Sequence, residues 1–459
     1  MKAGIAPDTS AIAPWASAAA QERLRGLENA HDERASAYVT SAVTETIARH
    51  RRRADDTGIP LYAGTNVLSP NVLAAHDTGL STRPALGWPG EKLQTGTQDI
   101  EHLEVVAMQQ VARSLRARYA EVRFVTATMA NLATYIAFAE PGDTIAVLSP
   151  EAGGHASHQG AAGTAGVRGL KVEHLPYSAG AFDVDVSAVE EFVRSVRPRI
   201  ILVGGSVTLF PHNLEPIKAA ARKIGAVVVY DASHTAGLIA AGLFQDPLAE
   251  GADVVTFSTY KTYGGPAGGA AVTNDPELAE RLSHAAYPVL LSNYDPARLG
   301  PLAIAASEAV EQSPAWAVPT TEYAAELAAR LDFAGLAVAG RGRHYSRTHQ
   351  VVLDVGSFGG GPDVVRRLEG DGIHAGACRL PWQHPAAPPQ GVRLGSQEFV
   401  RRGAGFDSIP ELAELVARSV MGPDRVPDPG AAHRLRARIT RDLWGRPGGA
   451  AQLRDERPL

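Results

Sequence analysis

The sequence predicts an α/β protein with a large domain built on a mostly parallel, seven-stranded sheet and a smaller C-terminal α+β domain. Between residues 60 and 275, short apolar runs alternate with helix-length segments, as they do in βαβ units. After about residue 315 this alternation stops. The chain has 459 residues, of which 45% are hydrophobic and 20% charged, so it is long enough for more than one globular domain.

The apolar runs of the large domain predict its strands in chain order. They read "EVRFVT", "DTIAVLS", "KVEHLPY", "RIILVGG", "AVVVYD", "DVVTFS" and "GGAAVTN". Helices are expected between them over residues 98–118, 129–139, 185–196 and 214–224, with Gly or Pro ending them in "EPGDT" and "KIGAV".

The small domain contains helices at both ends and strands between them. We expect a helix over 319–332, the strand "HQVVLDV", a helix in "PDVVRRLEGDGI", the segments "HAGACRL" and "GVRLGS", and a last helix over 410–420. The chain therefore divides into an N-terminal helical arm (1–60), a large α/β domain (61–315), a small α+β domain (316–421) and a tail (422–459). The arm is polar enough to lie on a partner surface, and the Pro-, Gly- and Arg-rich tail is expected to be loosely attached.

Composition excludes several classes of function. The net charge of −5 provides no basic surface for nucleic acid. The sequence has no apolar run of about 18 residues, so we expect no membrane span. Cys378 is the only cysteine, which rules out disulfides within the chain and favours a reducing, cytoplasmic setting.

Lys261 is the first candidate functional residue. It follows the apolar run "DVVTFST" with one residue between, at the strand end where open α/β sheets bind ligands, and "GGPAGG" comes soon after it. A buried lysine can form a Schiff base with a carbonyl compound such as pyridoxal phosphate, and glycines let the backbone approach a phosphate. The alternative is a surface lysine in a strand-to-strand turn.

Asp231 ends the apolar run "AVVVYD", and His234 follows three residues later. A carboxylate at this position can pair with the protonated ring nitrogen of pyridoxal phosphate. The alternative is that Asp231 caps the helix that follows.

A candidate anion site consists of small residues that follow a predicted strand and open a helix: Thr126, Ala127 and Thr128. Free N–H groups at a helix start bind anions. Because hydroxyl caps are common, a simple helix cap is the alternative.

Two histidines and an arginine complete the candidates. His155 and His158 in "GGHASH" lack a third ligand nearby, so we expect no metal; His155 would either stack on an aromatic ring or be a plain loop residue. Arg393 in "GVRLGS" presents a fork suited to a carboxylate, with a solvated strand charge as the alternative.

Taken together and in this order, the candidates resemble fold type I pyridoxal-phosphate enzymes of the aspartate aminotransferase superfamily. Within that class the chain is similar to serine hydroxymethyltransferase over roughly residues 60–420. The segments that carry the resemblance are "TNVLSPNVLAAHDTGLSTRPALGWPG", "TATMANLATYIAFAEPGDT", "GGHASH", "YDASHTAGL", "TYKTYGGPAGG" and "GVRLGS". The resemblance implies pyridoxal 5'-phosphate as cofactor and a small amino acid as substrate.

The resemblance implies a role for each matching residue. Lys261 would form the Schiff base with the cofactor, Asp231 would pair with its ring nitrogen, and His155 would stack on its face. His234 would lie beside its phenolic oxygen, and Arg393 would hold the substrate carboxylate.

Further matching residues are implied to bind other parts of the cofactor. Ser206 would lie near the phenolic oxygen, Thr126, Ala127 and Thr128 would hold the phosphate, and Ser258 would lie on the phosphate side. Glycines of the 264–269 bend, Gly268 among them, would reach the phosphate of a partner subunit, which implies a homodimer with active sites at its interface.

The sequence also departs from the family pattern. The motif "Y-A-E-G-Y-P-G" reads "PALGWPG", so Leu86 replaces the glutamate that handles the hydroxymethyl and folate protons, and Pro84 replaces the tyrosine before it. A following tyrosine pair reads Leu93-Gln94, the family's "S-E-N" reads "GTN", and Tyr260 and Ala267 replace a His and an Arg. Losing one acid/base group costs about 10²–10⁴-fold in rate. We therefore expect cofactor chemistry without folate.

The leading hypothesis is a folate-independent enzyme that cleaves or transfers at Cα–Cβ of an α-amino acid, as an aldolase or transaldolase does, in specialised biosynthesis. Tyr260 or Tyr62 would supply the acid/base group missing at Leu86, and Trp88 would help form a roomy substrate pocket. The alternatives are β-elimination by a C–S lyase or decarboxylative deamination, an ordinary serine hydroxymethyltransferase, and a catalytically silent cofactor-binding relative.

Overall fold

A computed structural model describes residues 15–28, 36–160, 163–422, 426–439 and 441–445. The chain divides into two compact units, residues 1–57 and 58–459. The first contains the helices α1 (Ala18–Glu28) and α2 (Ser36–Arg51) and a π-helical turn over Arg52–Thr57. The helices α1 and α2 thus lie within the predicted arm, whereas Ile59 and Pro60 at its end form a strand of the second unit. The arm's position on a partner surface and the division of the chain at residue 315 stay predictions.

The second unit contains all the strands of the described residues. They are β1 (Ile59–Pro60), β2 (Tyr119–Glu121), β3 (Thr144–Val147), β4 (Lys171–His174), β5 (Tyr177–Ser178), β6 (Asp183–Val184), β7 (Ile200–Gly204), β8 (Val227–Asp231), β9 (Val254–Ser258), β10 (Gly269–Thr273), β11 (Ala337–Val338), β12 (Gln350–Asp354), β13 (Ile373–His374), β14 (Gly376–Cys378) and β15 (Gly391–Gly395).

The α-helices of this unit separate the strands. They are α3 (Pro70–Ala74), α4 (Gln98–Ser114), α5 (Ala127–Phe138), α6 (Thr164–Val167), α7 (Val186–Val196), α8 (Leu214–Arg222), α9 (Ala236–Ala240), α10 (Pro247–Glu250), α11 (Pro276–His284), α12 (Leu299–Glu311), α13 (Ser313–Phe333), α14 (Gly361–Gly370), α15 (Gln397–Arg401), α16 (Ile409–Met421) and α17 (Pro429–Ala437). Short 3-10 turns and one π-helical segment lie at Thr78–Thr82, Ala156–His158, Ala285–Leu290, Pro296–Arg298, Arg341–Arg343, Gly356–Phe358 and Phe406–Ser408.

The main sheet has seven strands in the order β2-β10-β9-β8-β7-β3-β4. Strand β10 runs antiparallel to both neighbours, and the other neighbouring pairs are parallel. The predicted mostly parallel, seven-stranded sheet is therefore confirmed. A second sheet, β11-β12-β15-β14, is antiparallel throughout.

Both faces of the main sheet are buried, which explains why its central strands are apolar without alternation. In β7, Ile201 and Val203 pack into the core on one face, while Ile200 and Leu202 pack into the core on the other. Side chains alternate between faces along a strand, so a strand covered on both sides needs an apolar residue at every position.

The carboxyl ends of the parallel strands lie along one edge of the sheet. Strand β8 ends there at Asp231 and β9 ends at Ser258, three residues before Lys261. Because β10 is antiparallel to β9 and Gly269 pairs with Ser258, the glycine-rich bend returns to the same edge. The topology thus brings together segments that are far apart in sequence, as open α/β sheets do at their ligand site.

Two predictions about local structure are wrong. The strand expected over 121–126 is β2, which ends at Glu121. The carbonyl of Val122 instead accepts a hydrogen bond from Arg298 Nη1 at 2.9 Å, so a side chain takes an acceptor that a strand neighbour would use. The carbonyl of Phe124 accepts hydrogen bonds both from Arg298 Nη1 at 2.7 Å and from Gly269 N at 2.9 Å.

The tail is also more ordered than expected, because residues 429–437 form α17. Ala431, Ala432 and Leu435 on this helix are buried in the core of the antiparallel sheet. Pro429 at the start of the helix fixes a compatible backbone angle, so the Pro-rich composition starts a helix here rather than preventing one. The rest of the predicted tail, apart from residues 422, 426–428, 438–439 and 441–445, lies outside the described residues. Among the described residues, no helix combines the length and apolarity that crossing a membrane requires.

Candidate active site

Lys261 lies buried at the carboxyl edge of the main sheet. Its Nζ is 3.1 Å from His234 Nε2, and Asn66 Nδ2 donates a hydrogen bond to its backbone carbonyl at 2.8 Å. Burial lowers the pKa of Lys261 to about 8, the charge of Asp231 opposes this, and the charge of Arg393 adds to it. The amine is therefore deprotonated far more readily than an exposed lysine, as a nucleophilic lysine must be.

Asp231 is a buried carboxylate held by several donors. Its Oδ2 accepts hydrogen bonds from His158 Nε2 at 2.9 Å and Asn131 Nδ2 at 3.0 Å, and its Oδ1 accepts one from Ser233 N at 2.9 Å. Burial alone would raise the pKa of Asp231, but these donors outweigh it and hold the pKa far below its usual range. The carboxylate is therefore permanently charged and rigidly placed.

Sequence analysis missed the positioning roles of Asn131 and His158. Asn131 Oδ1 accepts a hydrogen bond from Thr256 Oγ1 at 2.6 Å, which points its amide group at Asp231. The only available signal was a lone amide within the apolar helix α5. His158 binds the carboxylate of Asp231, and the described residues contain no group of three His, Cys, Asp or Glu that could hold a metal ion.

The other histidines of the site are neutral. His155 Nδ1 accepts a hydrogen bond from Ser157 N at 3.1 Å, and burial lowers the pKa of His155 to about 4. His234 is held well below its usual pKa by burial and by the charges of Lys261 and Arg393. Because the arginine can only donate, His234 Nε2, 3.4 Å from Arg393 Nη1, acts as an acceptor.

A fourth histidine of the site, His349, was not predicted from the sequence because it lies in another region of the chain. Its ring stacks on that of His234, with centroids 5.7 Å apart and planes at 10°. Its Nε2 donates to the carbonyl of Ala63 at 3.2 Å, and burial lowers its pKa to about 3. The neutral ring of His349 therefore packs against the ring of His234 without adding a charge to the site.

Arg393, in strand β15, is buried at the same site. Its guanidinium donates to the carbonyl of Ser206, and its Nε is buried without a hydrogen-bond partner in the protein. The guanidinium carbon lies 6.0 Å from the ring centroid of Tyr62. Burial lowers the pKa of Arg393, an effect that Cys378 and Tyr62 oppose. A buried guanidinium with a free donor fits an anionic ligand.

The start of helix α5 forms the other end of the site. Thr126 caps the helix by accepting a hydrogen bond from Met129 N at 3.1 Å, so Ala127 and Thr128 occupy its first turn. The backbone at Gly269 is so close that a Cβ there would lie 2.3 Å from Thr126 O. Ser258 is buried at the end of β9.

Three predicted site residues have surroundings unlike those of the buried residues Lys261, Asp231 and Arg393. Gly268 borders Arg298, whose Nη2 would lie 1.8 Å from an added Cβ, so this glycine makes room for a buried arginine. Tyr260 is 37% exposed. Trp88 packs over Arg123, 5.2 Å from its guanidinium carbon, and lines a separate cavity of about 740 Å³ beside β2. The roles assigned to the predicted site residues stay predictions.

The residues present fit pyridoxal phosphate. The site offers a buried amine, a permanently charged carboxylate at the end of the neighbouring strand, and the free N–H groups of a helix start for a phosphate. The partnerless donor of Arg393 adds a place for a substrate carboxylate.

Comparisons with known proteins agree with this interpretation. A family model described as serine hydroxymethyltransferase matches residues 38–416. An alpha-methylserine aldolase of Variovorax paradoxus is 38% identical over 427 residues, covering 93% of this chain and 96% of that protein. A serine hydroxymethyltransferase of Korarchaeum cryptofilum is 38% identical over 379 residues, covering 80% and 87%.

A solved structure shows the same fold. The crystal structure of L-threonine transaldolase from Pseudomonas fluorescens superposes with a TM-score of 0.79 and 24% identity, covering 90% of this chain and 92% of that one. Because the two sequences are only 24% identical, this similarity supports the fold and no statement about function.

The lowered pKa of Lys261 predicts unusual reactivity in the cofactor-free protein. Competitive acetylation with acetic anhydride, followed by peptide mapping, should show modification of Lys261 rising with pH through a midpoint of about 8. Exposed Lys171 serves as an internal reference. The variant Arg393→Met removes a positive charge and should move the midpoint upward. A midpoint near the ordinary lysine value of 10.5 would contradict the burial argument.

The donors to Asp231 predict a second effect. His158→Ala removes a hydrogen bond to a buried charge, so Asp231 should become easier to protonate and pyridoxal phosphate should bind about 10-fold more weakly or worse. Fluorescence titration measures the dissociation constant. The exposed His174→Ala is the matched control, and equal affinity in the two variants would show that His158 does not support the cofactor site.

Proposed function

The chain belongs to the serine hydroxymethyltransferase family, and within it we propose an aldolase that cleaves the Cα–Cβ bond of a β-hydroxy-α-amino acid without folate. The substrate we propose is α-methylserine or a close analogue. The observation that carries this proposal is the 38% identity to an alpha-methylserine aldolase over 93% of the chain.

Identity alone does not separate this reaction from folate-dependent transfer, because a serine hydroxymethyltransferase is also 38% identical. The side chains do favour the aldolase. Leu86 and Pro84 stand where the family pattern has a glutamate and a tyrosine, and neither can carry a proton. A substrate that releases free aldehyde does not need the folate-handling groups.

The enzyme depends on pyridoxal phosphate, which withdraws electrons from the Cα of a bound amino acid. We propose that Lys261 holds it covalently, that Asp231 keeps its ring nitrogen protonated, and that His155 covers one face. The start of α5, with Thr126 and Thr128, would hold the phosphate. Ser258, Ser206 and His234 are proposed to contact its remaining polar atoms.

Cleavage requires a base for the β-hydroxyl proton. With pKa values of about 4 and 3, His155 and His349 are too weakly basic, whereas Lys261 has a pKa of about 8, close to neutrality. We propose that Lys261 Nζ, once it no longer holds the cofactor, accepts this proton as the Cα–Cβ bond breaks and the hydroxymethyl group leaves as formaldehyde. Lys261 then gives the same proton to Cα, which yields alanine. Arg393 orients the carboxylate throughout.

The holoenzyme, free of tetrahydrofolate, should convert α-methyl-L-serine to equal amounts of formaldehyde and L-alanine. Formaldehyde is measured colorimetrically and alanine by mass spectrometry. Lys261→Ala should abolish both products, and exposed Lys171→Ala should abolish neither. Because the α-carbon of this substrate carries no hydrogen, products from initial Cα deprotonation cannot arise.

Other outcomes would favour the alternative reactions. Glycine formed from L-serine only when tetrahydrofolate is added would support a serine hydroxymethyltransferase. Pyruvate from a cysteine conjugate would support β-elimination, and CO₂ release would support decarboxylative deamination. A yellow holoenzyme whose absorbance no amino acid changes would support a silent relative. Acetaldehyde from L-threonine would keep the aldolase but change its substrate.

We also propose that the enzyme is a cytoplasmic homodimer. Apolar side chains are exposed around the cavity beside β2, including Trp88, Leu93 and Tyr119 at 41, 70 and 40% exposure. Such patches on a protein surface mark interaction sites. Sedimentation equilibrium should give a dimer that Leu93→Glu weakens, while Phe333→Glu, at an even more exposed apolar position outside this cavity, should leave it intact. A monomer at micromolar concentration would overturn this proposal.

A further inference from the structure

The ring of Tyr62 lies between two glycines from separate segments of the chain. A Cβ built on Gly64 would lie 2.8 Å from Tyr62 Cε1, and one built on Gly376 would lie 2.7 Å from Cε2. Real Cβ atoms essentially never make contacts that short. Any side chain at either position would therefore push the ring from its place.

Backbone conformation does not explain these two glycines. Neither has a positive φ, so an alanine could adopt the same backbone at both positions. What excludes a side chain is the tyrosine ring itself. Gly64 and Gly376 therefore define a slot for one aromatic side chain.

The slot lies beside Arg393. In the antiparallel sheet Gly376 pairs with Arg393, and the ring centroid of Tyr62 is 6.0 Å from the guanidinium carbon. The backbone of Tyr62 is fixed as well, because its carbonyl accepts a hydrogen bond from Gln397 Nε2 at 2.9 Å. The side chain is nevertheless 39% exposed, so one side of it faces open space.

Beside Tyr62, Arg393 has a free hydrogen-bond donor that a ligand could use. Its Nε is buried and lacks a partner in the protein, while Nη1 is used by the carbonyl of Ser206. An anion that meets this free donor would lie near the tyrosine, whose hydroxyl can donate a further hydrogen bond.

We propose that Tyr62 determines specificity for the α-carboxylate: its hydroxyl, fixed by the slot of Gly64 and Gly376, donates to the carboxylate that Arg393 binds. The ligand class, an α-amino acid, rests on the proposed function. This assignment differs from an acid/base role for Tyr62, because a carboxylate donor acts in binding and an acid/base acts in the chemical step.

The first test compares two ligands of the holoenzyme by calorimetry. Tyr62→Phe should weaken L-alanine binding about 10-fold or more, since a hydrogen bond to a charged group is lost. Binding of L-alaninamide, which lacks the carboxylate, should change less than about twofold by the same reasoning. In steady-state assays with α-methyl-L-serine, KM should rise by a similar factor while kcat stays nearly constant.

The second test asks whether the glycines act through the ring. Gly376→Ala and Gly64→Ala should each weaken L-alanine binding in the parent enzyme, but not when Tyr62 is already alanine, because no ring is left to displace. Gly180→Ala is the control, since nothing lies within 4 Å of a Cβ at that position. Thermal unfolding verifies that the variants are folded.

Several results would overturn the proposal. They are unchanged L-alanine binding in Tyr62→Phe, an equal loss for L-alaninamide, a loss confined to kcat, and no binding of L-alanine, glycine or L-serine by the holoenzyme. Because calorimetry needs no turnover, absence of formaldehyde release would refute the aldolase proposal while leaving this one standing.

Discussion

The site depends on burying unlike charges together. Lys261, Arg393 and Asp231 all have little exposure to solvent, and each charge would be costly to bury alone. Asp231 is stabilised by neighbouring donors, so it remains an anion, while burial, with a smaller contribution from the two cations, lowers the pKa values of the histidines beside them. His234 and His155 are therefore neutral rings at ordinary pH. The cluster combines one fixed anion, one reactive amine and several uncharged hydrogen-bonding groups.

Close backbone packing holds this cluster in place. Gly204 has a φ of +89°, and a Cβ on it would lie 2.4 Å from Asp231 O, so the ends of β7 and β8 meet where only glycine fits. Similarly, the absence of a side chain at Gly269 lets the glycine-rich bend pack against Thr126. Arg298 donates a hydrogen bond to the carbonyl of Phe124, in the segment that leads to α5. The start of α5 and the carboxyl ends of the strands are therefore rigidly placed relative to each other.

The segment around Leu86 shows how the chemistry can change while the framework remains. Lys92 Nζ bonds to the carbonyl of Gly87 at 2.7 Å and to the buried Glu104 at 2.6 Å. Tyr294 donates to the same carboxylate at 2.6 Å. These buried charges anchor the segment regardless of which side chain stands at position 86. A proton-handling residue could therefore be replaced by leucine without loss of the local fold.

The sequence by itself determined the layered α/β fold, the family and the strand-end positions of Lys261 and Asp231, because apolar runs and glycine-rich turns are local signals. Only the tertiary structure decided which residues complete the cluster. His349, Asn131 and His158 come from separate segments, and no local pattern shows that they meet at one sheet edge. Residues distant in sequence also determine two other features. Arg298 bonds to the chain just after β2, and α17 packs into the core of the antiparallel sheet. Contacts between residues far apart in sequence arise from packing, which periodicity cannot report.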